Sequence, residues 1–305
     1  MSERAPVRRR HEAERVGAGL PPLLVAADRV AATVAQGVHG RRRVGVGESF
    51  WQFRPYQPGD ATAAIDWRQS AKGDRVVLRE QEWEAAQSVW LWVDRSASMG
   101  FRSRHGPTKY ERAQVLALAL ASLLLRAGER VAALTSPTPP MAGRAALARL
   151  AEQLDRPPAR GVLETAPAGA SAPGAGDDAL PRRPLPKHAR VVLVSDWLMP
   201  RERIEAWLGF IHGLGVAGFV IAVLDPAELE LPYAGRVRFT GMEQEGVALI
   251  GNVDRVRADY ERLLAEHRAA LADVTRRLGW RTTLHRTDHP PEQALLPAYM
   301  ALGVR

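Results

Sequence analysis

The chain contains no cysteine. Disulfides, thiolate metal sites and cysteine nucleophiles are excluded, in keeping with a reducing compartment. Long apolar runs are missing too. The longest, Val115 to Leu125, falls short of the ~18 residues that a membrane-spanning helix requires. The N-terminus leads from Met1 into Arg8-Arg9-Arg10 with no apolar stretch behind it, so no secretory signal is read and a cytoplasmic location is expected. The eight histidines are scattered and none shows H-E-x-x-H spacing. No G-K-[ST] follows Gly45 and Gly47, which excludes a phosphate loop, and G-x-S-x-G is absent, which excludes a nucleophile elbow. Aromatic residues are only 6% of the chain, yet five of the eight tryptophans fall between Trp51 and Trp92. That clustering points to a compact aromatic core under a β-rich appendage.

What is present fits a soluble globular protein. The 305 residues are 46% hydrophobic and 25% charged, enough for one large domain with a smaller appendage. The net charge of +8 comes from short arginine clusters such as Arg41-Arg42-Arg43 and Arg182-Arg183. No helix-turn-helix, zinc-finger or RNA-binding signature accompanies them. A basic surface for nucleic acid or anionic lipid is therefore the secondary reading.

Residues 1–18 are polar and arginine-rich, and a disordered basic N-terminus is expected there. Residues 19–85 read as a helix plus a β-rich segment. Pro21 and Pro22 open the helix; Leu23, Leu24, Ala27, Val30 and Val34 share a face that ends before Gly37 and should pack on the main domain. In the β-rich part, aromatic alternation around Trp51 and Phe53 runs into a Pro58-Gly59-Asp60 turn, and a strand is expected over Val76 to Glu82. Arg54 and Tyr56 are read as pairing with Asp60 and Asp66 in a structural network. Trp51, Phe53 and Trp67 could form a peptide-binding surface, but core packing is the expected use. Asp60 and Asp66 are also the carboxylate pair that a metal-assisted hydrolase would use.

Residues 86–305 read as one α/β domain. Val89 to Val93 is a buried strand that ends at Asp94, followed by Ser96 and Ser98 and then by a helix from Lys109 to Arg126. Further strands are expected at Arg130 to Thr135, Val191 to Ser195 (followed by Asp196) and Gly218 to Leu224. Helices are expected at Arg144 to Leu154 and Glu202 to His212, and a mobile loop over 155–188. Alternation of this kind predicts a doubly wound, mostly parallel sheet. Val237-Arg238-Phe239 and Val247-Ala248-Leu249 flank a polar, Gly-containing turn, for which a hairpin or an edge ladder is expected. Asn252 caps a long helix whose face carries Val253, Val256, Tyr260, Leu263, Leu264, Leu271, Val274 and Leu278. A last strand, Trp280 to His285, and a last helix, Pro291 to Leu302, complete the domain.

Both Asp94 and Asp196 end buried strands, at the sheet edge where α/β folds bind ligands. With Ser96 and Ser98 they offer oxygen donors to a hard cation such as Mg²⁺, with Mn²⁺ or Ca²⁺ as alternatives. The bland alternative is that both aspartates cap turns, with the serines as local partners.

Asp94-x-Ser96-x-Ser98 resembles the metal-ion-dependent adhesion site (MIDAS) of von Willebrand factor A domains. The run from Gly45 through Phe50, Arg54-x-Tyr56-x-Pro58-Gly59-Asp60, Ile65-Asp66-Trp67, Leu78-Arg79-Glu80 and then Asp94-x-Ser96-x-Ser98-Met99 resembles the bacterial "domain of unknown function fifty-eight" family. The likeness runs from about Leu20 onward. It implies a Rossmann-like von Willebrand factor A fold and a MoxR-type AAA+ ATPase as partner, since members are often encoded beside such ATPases. It further implies a non-enzymatic interaction module in which Asp94, Ser96 and Ser98 ligate the ion and Asp196 supports it, near or through water. Members often carry arginine before Ile-Asp-Trp, where this chain has Ala63-Ala64. The family pattern also wants a middle-loop threonine, for which Thr165 is nearest in order and Ser171 second.

Overall fold

The computed structural model describes residues 22–39, 50–57, 62, 65–73, 75–81, 86–103, 106–155, 184–187, 189–243 and 246–302. The chain divides into two compact units, one of residues 1–40 with 87–304 and the other of 41–86. The basic N-terminus over 1–18, Asp60, most of the loop expected over 155–188, Thr165 and Ser171 lie outside the described residues.

The larger unit is built on a five-stranded parallel sheet. Its strands are β3 (Ser88–Val93), β4 (Arg130–Ala133), β5 (Arg190–Ser195), β6 (Ala217–Leu224) and β9 (Arg281–Arg286), in spatial order β4-β3-β5-β6-β9. Strand residues alternate between two cores, as the two-residue period of a strand requires. Val89, Leu91, Val93, Val192, Val194, Ile221 and Val223 face one side. Trp90, Trp92, Val191, Leu193, Val220 and Ala222 face the other. Both faces are apolar because both are covered, which makes the strands read as continuous hydrophobic runs.

On the first face lie α1 (Pro22–His39), α3 (Lys109–Arg126), α4 (Arg144–Leu154) and α8 (Glu292–Ala301). The second face is covered by α5 (Arg201–Gly213) and α7 (Val253–Arg277). Helix α3 is buried nearly all round, as its alanine- and leucine-rich sequence requires. Helix α1 runs past Gly37 to His39 and joins this core through Leu24, Ala27, Ala31 and Val34. The sequence grouped it with the β-rich segment; its contacts place it in the larger unit. A short helix, α6 (Pro226–Glu230), follows β6, and an antiparallel hairpin of β7 (Val237–Thr240) and β8 (Val247–Ile250) precedes α7.

Asn252 caps α7, accepting from the Asp254 N–H at 3.0 Å. The expected face of α7 is only partly used. Val253, Leu264, Leu271 and Val274 are buried, whereas Leu263 is 56% exposed and Val256 also faces outward. Leu263 lies one helical step, about 100° around the axis, from Leu264, so one stripe cannot bury both. The N-terminal half is held by polar anchors instead: Tyr260 Oη donates to Glu228 O at 2.6 Å and Arg257 to Tyr233 O at 2.7 Å.

The smaller unit pairs β1 (Phe50–Pro55) with β2 (Val77–Gln81) in antiparallel register, Phe53 opposite Arg79. Between them α2 (Trp67–Ser70) is capped by Asp66, whose carboxylate accepts from Gln69 N–H at 2.9 Å. The network expected of Arg54, Tyr56, Asp60 and Asp66 falls partly outside the described residues; Asp66 caps the helix, and the Tyr56 N–H donates to Val76 O at 2.9 Å. One expectation changes here. Trp67 is 67% exposed, not core. It opens a single helical turn that has no buried face of its own. The side chains of Trp51, Phe53 and Arg54 lie outside what is described.

Candidate metal centre

The order β4-β3-β5 means that the chain leaves β3 in one direction to form β4 and returns past it to form β5. A crevice opens at such a switch point, beyond the carboxyl ends of the strands. Asp94 follows β3 and Asp196 follows β5, so the topology brings the two aspartates together there. The Asp94 N–H still donates to Val194 O at 2.8 Å, which fixes its backbone to the sheet.

The loop after Asp94 is held from both ends. Asp94 Oδ1 accepts from Ser96 N–H at 2.8 Å, and its Oδ2 accepts from Ser195 Oγ at 2.5 Å. A 3₁₀ turn, Ala97–Gly100, follows, and the fully buried Met99 pins it to the core. Ser96 Oγ and Ser98 Oγ lie 3.1 Å apart, and Ser98 Oγ donates to Asp196 Oδ2 at 2.7 Å. All four sequence-expected residues therefore converge. Trp197 (φ 59°) turns the chain in the left-handed region directly after Asp196. That conformation is held by its buried indole, whose Nε1 donates to Ile221 O at 3.2 Å, and by the Trp197 carbonyl 2.6 Å from His267 Nε2.

Two members of the cluster were not found by sequence reasoning. Lys109 is 0% exposed. Its Nζ donates to Asp196 Oδ2 at 2.7 Å and to Glu228 Oε1 at 2.6 Å. Lys109 opens α3 behind a Thr108–Glu111 capping box, and Glu228 closes a second capping box with Asp225. The Asp225-Pro226-Ala227-Glu228 pattern was a readable signal for the second; no local signal tells where the Lys109 ammonium goes.

Electrostatics separate these groups. Burial, then the neighbouring Asp196 charge, push Asp94 up to about 6, against its bonds from Ser195 and Ser96. Burial acts on Asp196 in the same sense, but the Lys109 charge outweighs it and holds this carboxyl below its usual range. Glu228 is raised, chiefly by burial, despite Lys109. For Lys109, burial opposes the charged form, and Asp196 and Glu228 overcome it and raise the ammonium.

Lys109 thus pairs with two carboxylates, Asp196 and Glu228, and the excess negative charge of the cluster rests on Asp94, beside two hydroxyls. This donor set fits a hard divalent cation, which would relieve that excess. Among the described residues no three His, Cys, Asp or Glu side chains are placed to share an ion, so hydroxyl donors are essential to such a site.

Sheet order and alternating helices together define a doubly wound α/β domain. The chain belongs to the family described as "Protein of unknown function DUF58", whose model matches residues 52–270. It is 32% identical over 254 residues to the uncharacterized protein Rv1480 of Mycobacterium tuberculosis, covering 80% of this chain and 76% of that one. The uncharacterized protein Mb1516 of Mycobacterium bovis matches to the same extent, at 32% identity with 80% and 76% covered. Among solved structures, an aerotolerance-related membrane protein of Bacteroides fragilis matches with TM-score 0.39 and 12% identity, covering 72% of this chain and 100% of that one. The conserved hypothetical protein BatB of Bacteroides thetaiotaomicron matches with TM-score 0.37 and 12% identity, again covering 72% and 100%. Among the described residues, no helix is long and apolar enough to cross a membrane.

Proposed function

We propose that this chain is a non-enzymatic protein-interaction module that binds an acidic residue of a partner through a MIDAS-like divalent site. The observation that carries the reading is the convergence of Asp94, Ser96, Ser98 and Asp196 at the switch point. Asp94, Ser96 and Ser98 would hold Mg²⁺ directly, and Asp196 would support it. When bound, Mg²⁺ supplies a positive centre that two neutral hydroxyls leave partly uncompensated, and so favours an outside carboxylate. The chain's own part is to position the donors. Ser195 and the Ser96 amide orient Asp94, while Lys109 fixes Asp196.

The partner we propose is a MoxR-type AAA+ ATPase, with this chain as a cytoplasmic accessory factor. The experiment is a pull-down of the MoxR-type ATPase encoded nearest the gene, with Mg²⁺ or with EDTA, for wild type and Asp94→Ala. Capture should require Mg²⁺ and be lost in the variant. Capture that survives both EDTA and Asp94→Ala would overturn the metal bridge.

A further inference from the structure

A fourth carboxylate reaches the site from outside the strand ends. Glu243 lies in the turn between β7 and β8, and its Oε1 accepts from the Ser98 N–H at 3.4 Å, across 145 residues of sequence. Unlike Asp94 and Asp196, it is exposed, so it stands at the rim of the crevice rather than inside it. The bond is long for an N–H···O contact and is correspondingly weak. We infer that Glu243 is the chain's own acidic ligand of the Ser96–Ser98 site and occupies the position that a partner's carboxylate must take.

This inference rests on the metal-site reading above and names what fills its open side. The construction of the hairpin agrees with an exchangeable occupant. Its strands have four residues each and form a sheet of only two strands, which is marginal by itself. β8 turns Val247 (62% exposed) and Leu249 (55% exposed) outward, so little apolar burial holds it down. Gly241 N–H donates to Gly246 O at 2.8 Å and closes the turn that presents Glu243. At its base, Tyr233 and Phe239 meet edge to face at 5.6 Å, and Val253 N–H donates to Gly235 O at 2.9 Å. The hairpin is thus fixed where it leaves the domain, and its second strand has little apolar burial to hold it. A carboxylate held this way adds a donor to a cation when no partner is present, and yields to a better-placed one.

The test uses the full chain, with Mn²⁺ as probe, and compares wild type, Glu243→Gln and Asp94→Asn. Calorimetry measures binding, and backbone hydrogen exchange reads residues 94–98 and 237–250 separately. Wild type should bind one Mn²⁺, with exchange slowed several-fold in both segments. Glu243→Gln should bind several-fold more weakly, keep the slowing at 94–98 and lose it at 237–250. Because Glu243 is exposed, this variant folds normally. Equal affinity and equal slowing of 237–250 in Glu243→Gln would overturn the role of Glu243 and leave the metal site standing. Absence of Mn²⁺ binding in wild type would overturn the metal site itself, and the assignment of Glu243 with it.

Discussion

Lys109 Nζ lies 2.7 Å from Asp196 Oδ2, and neither side chain has more than 3% of its surface exposed. A full positive charge therefore sits inside the crevice that was read as a cation site. Removing one partner of a buried pair leaves the other uncompensated, which typically costs about 3–5 kcal/mol. Lys109→Met should lower the stability of the larger unit by an amount of that order in urea denaturation. Lys109→Met combined with Asp196→Asn should lose less than the two single changes together. An unchanged midpoint in Lys109→Met would show that this ion pair does not stabilise the fold.

Acid should weaken the domain through His285. This residue of β9 is 2% exposed, and among the described residues its Nε2 has no hydrogen-bond partner. Burial first, then the Arg112 and His289 charges, push its pKa from 6.5 down to about 4, with Asp288 opposing. The sign follows from proton uptake. Below pH 6.5 the unfolded chain protonates this imidazole and the folded chain does not, so stability falls as pH drops. The loss from this group ends near pH 4, with a ceiling of about 3 kcal/mol over the window. His285→Gln should flatten that part of the stability profile; an identical profile would assign the acid lability to other groups.

Gly218 is required by a close approach. A β-carbon there would lie 2.2 Å from the Trp280 ring. Gly218→Ala must push back a large buried indole, at a cost of about 1–3 kcal/mol. The thermal midpoint should fall, and combining the change with Trp280→Leu should be less damaging than the sum of the singles. Simple additivity would mean that the ring moves aside freely.

The layered fold was legible because its signals are local. Val89 to Val93 and Val191 to Val194, the second followed by Ser195, are short runs apolar at every position, which only a sheet covered on both faces requires. Each stops at an aspartate, and two strands side by side in one parallel sheet necessarily present those ends at one edge. Lys109 was readable as a helix start and not as a member of the site. Its acceptors lie 87 and 119 residues away, and a lysine opening a helix is ordinarily solvated. Glu243 was hidden for the same reason, since nothing in a polar hairpin turn states what lies opposite. Trp67 misled because tryptophan is usually buried, whereas the register of a one-turn helix after Asp66 turns it outward.

The first core also orders events during synthesis. Its outer layer includes Leu24, Ala27, Ala31 and Val34 of α1 and Ala294, Leu295 and Ala298 of α8. These two helices stand more than 250 residues apart and flank the same central helix, α3. A growing chain therefore carries α3 out of the ribosome long before its last covering helix exists. Until α8 emerges, an apolar surface remains open to chaperones or to neighbouring nascent chains.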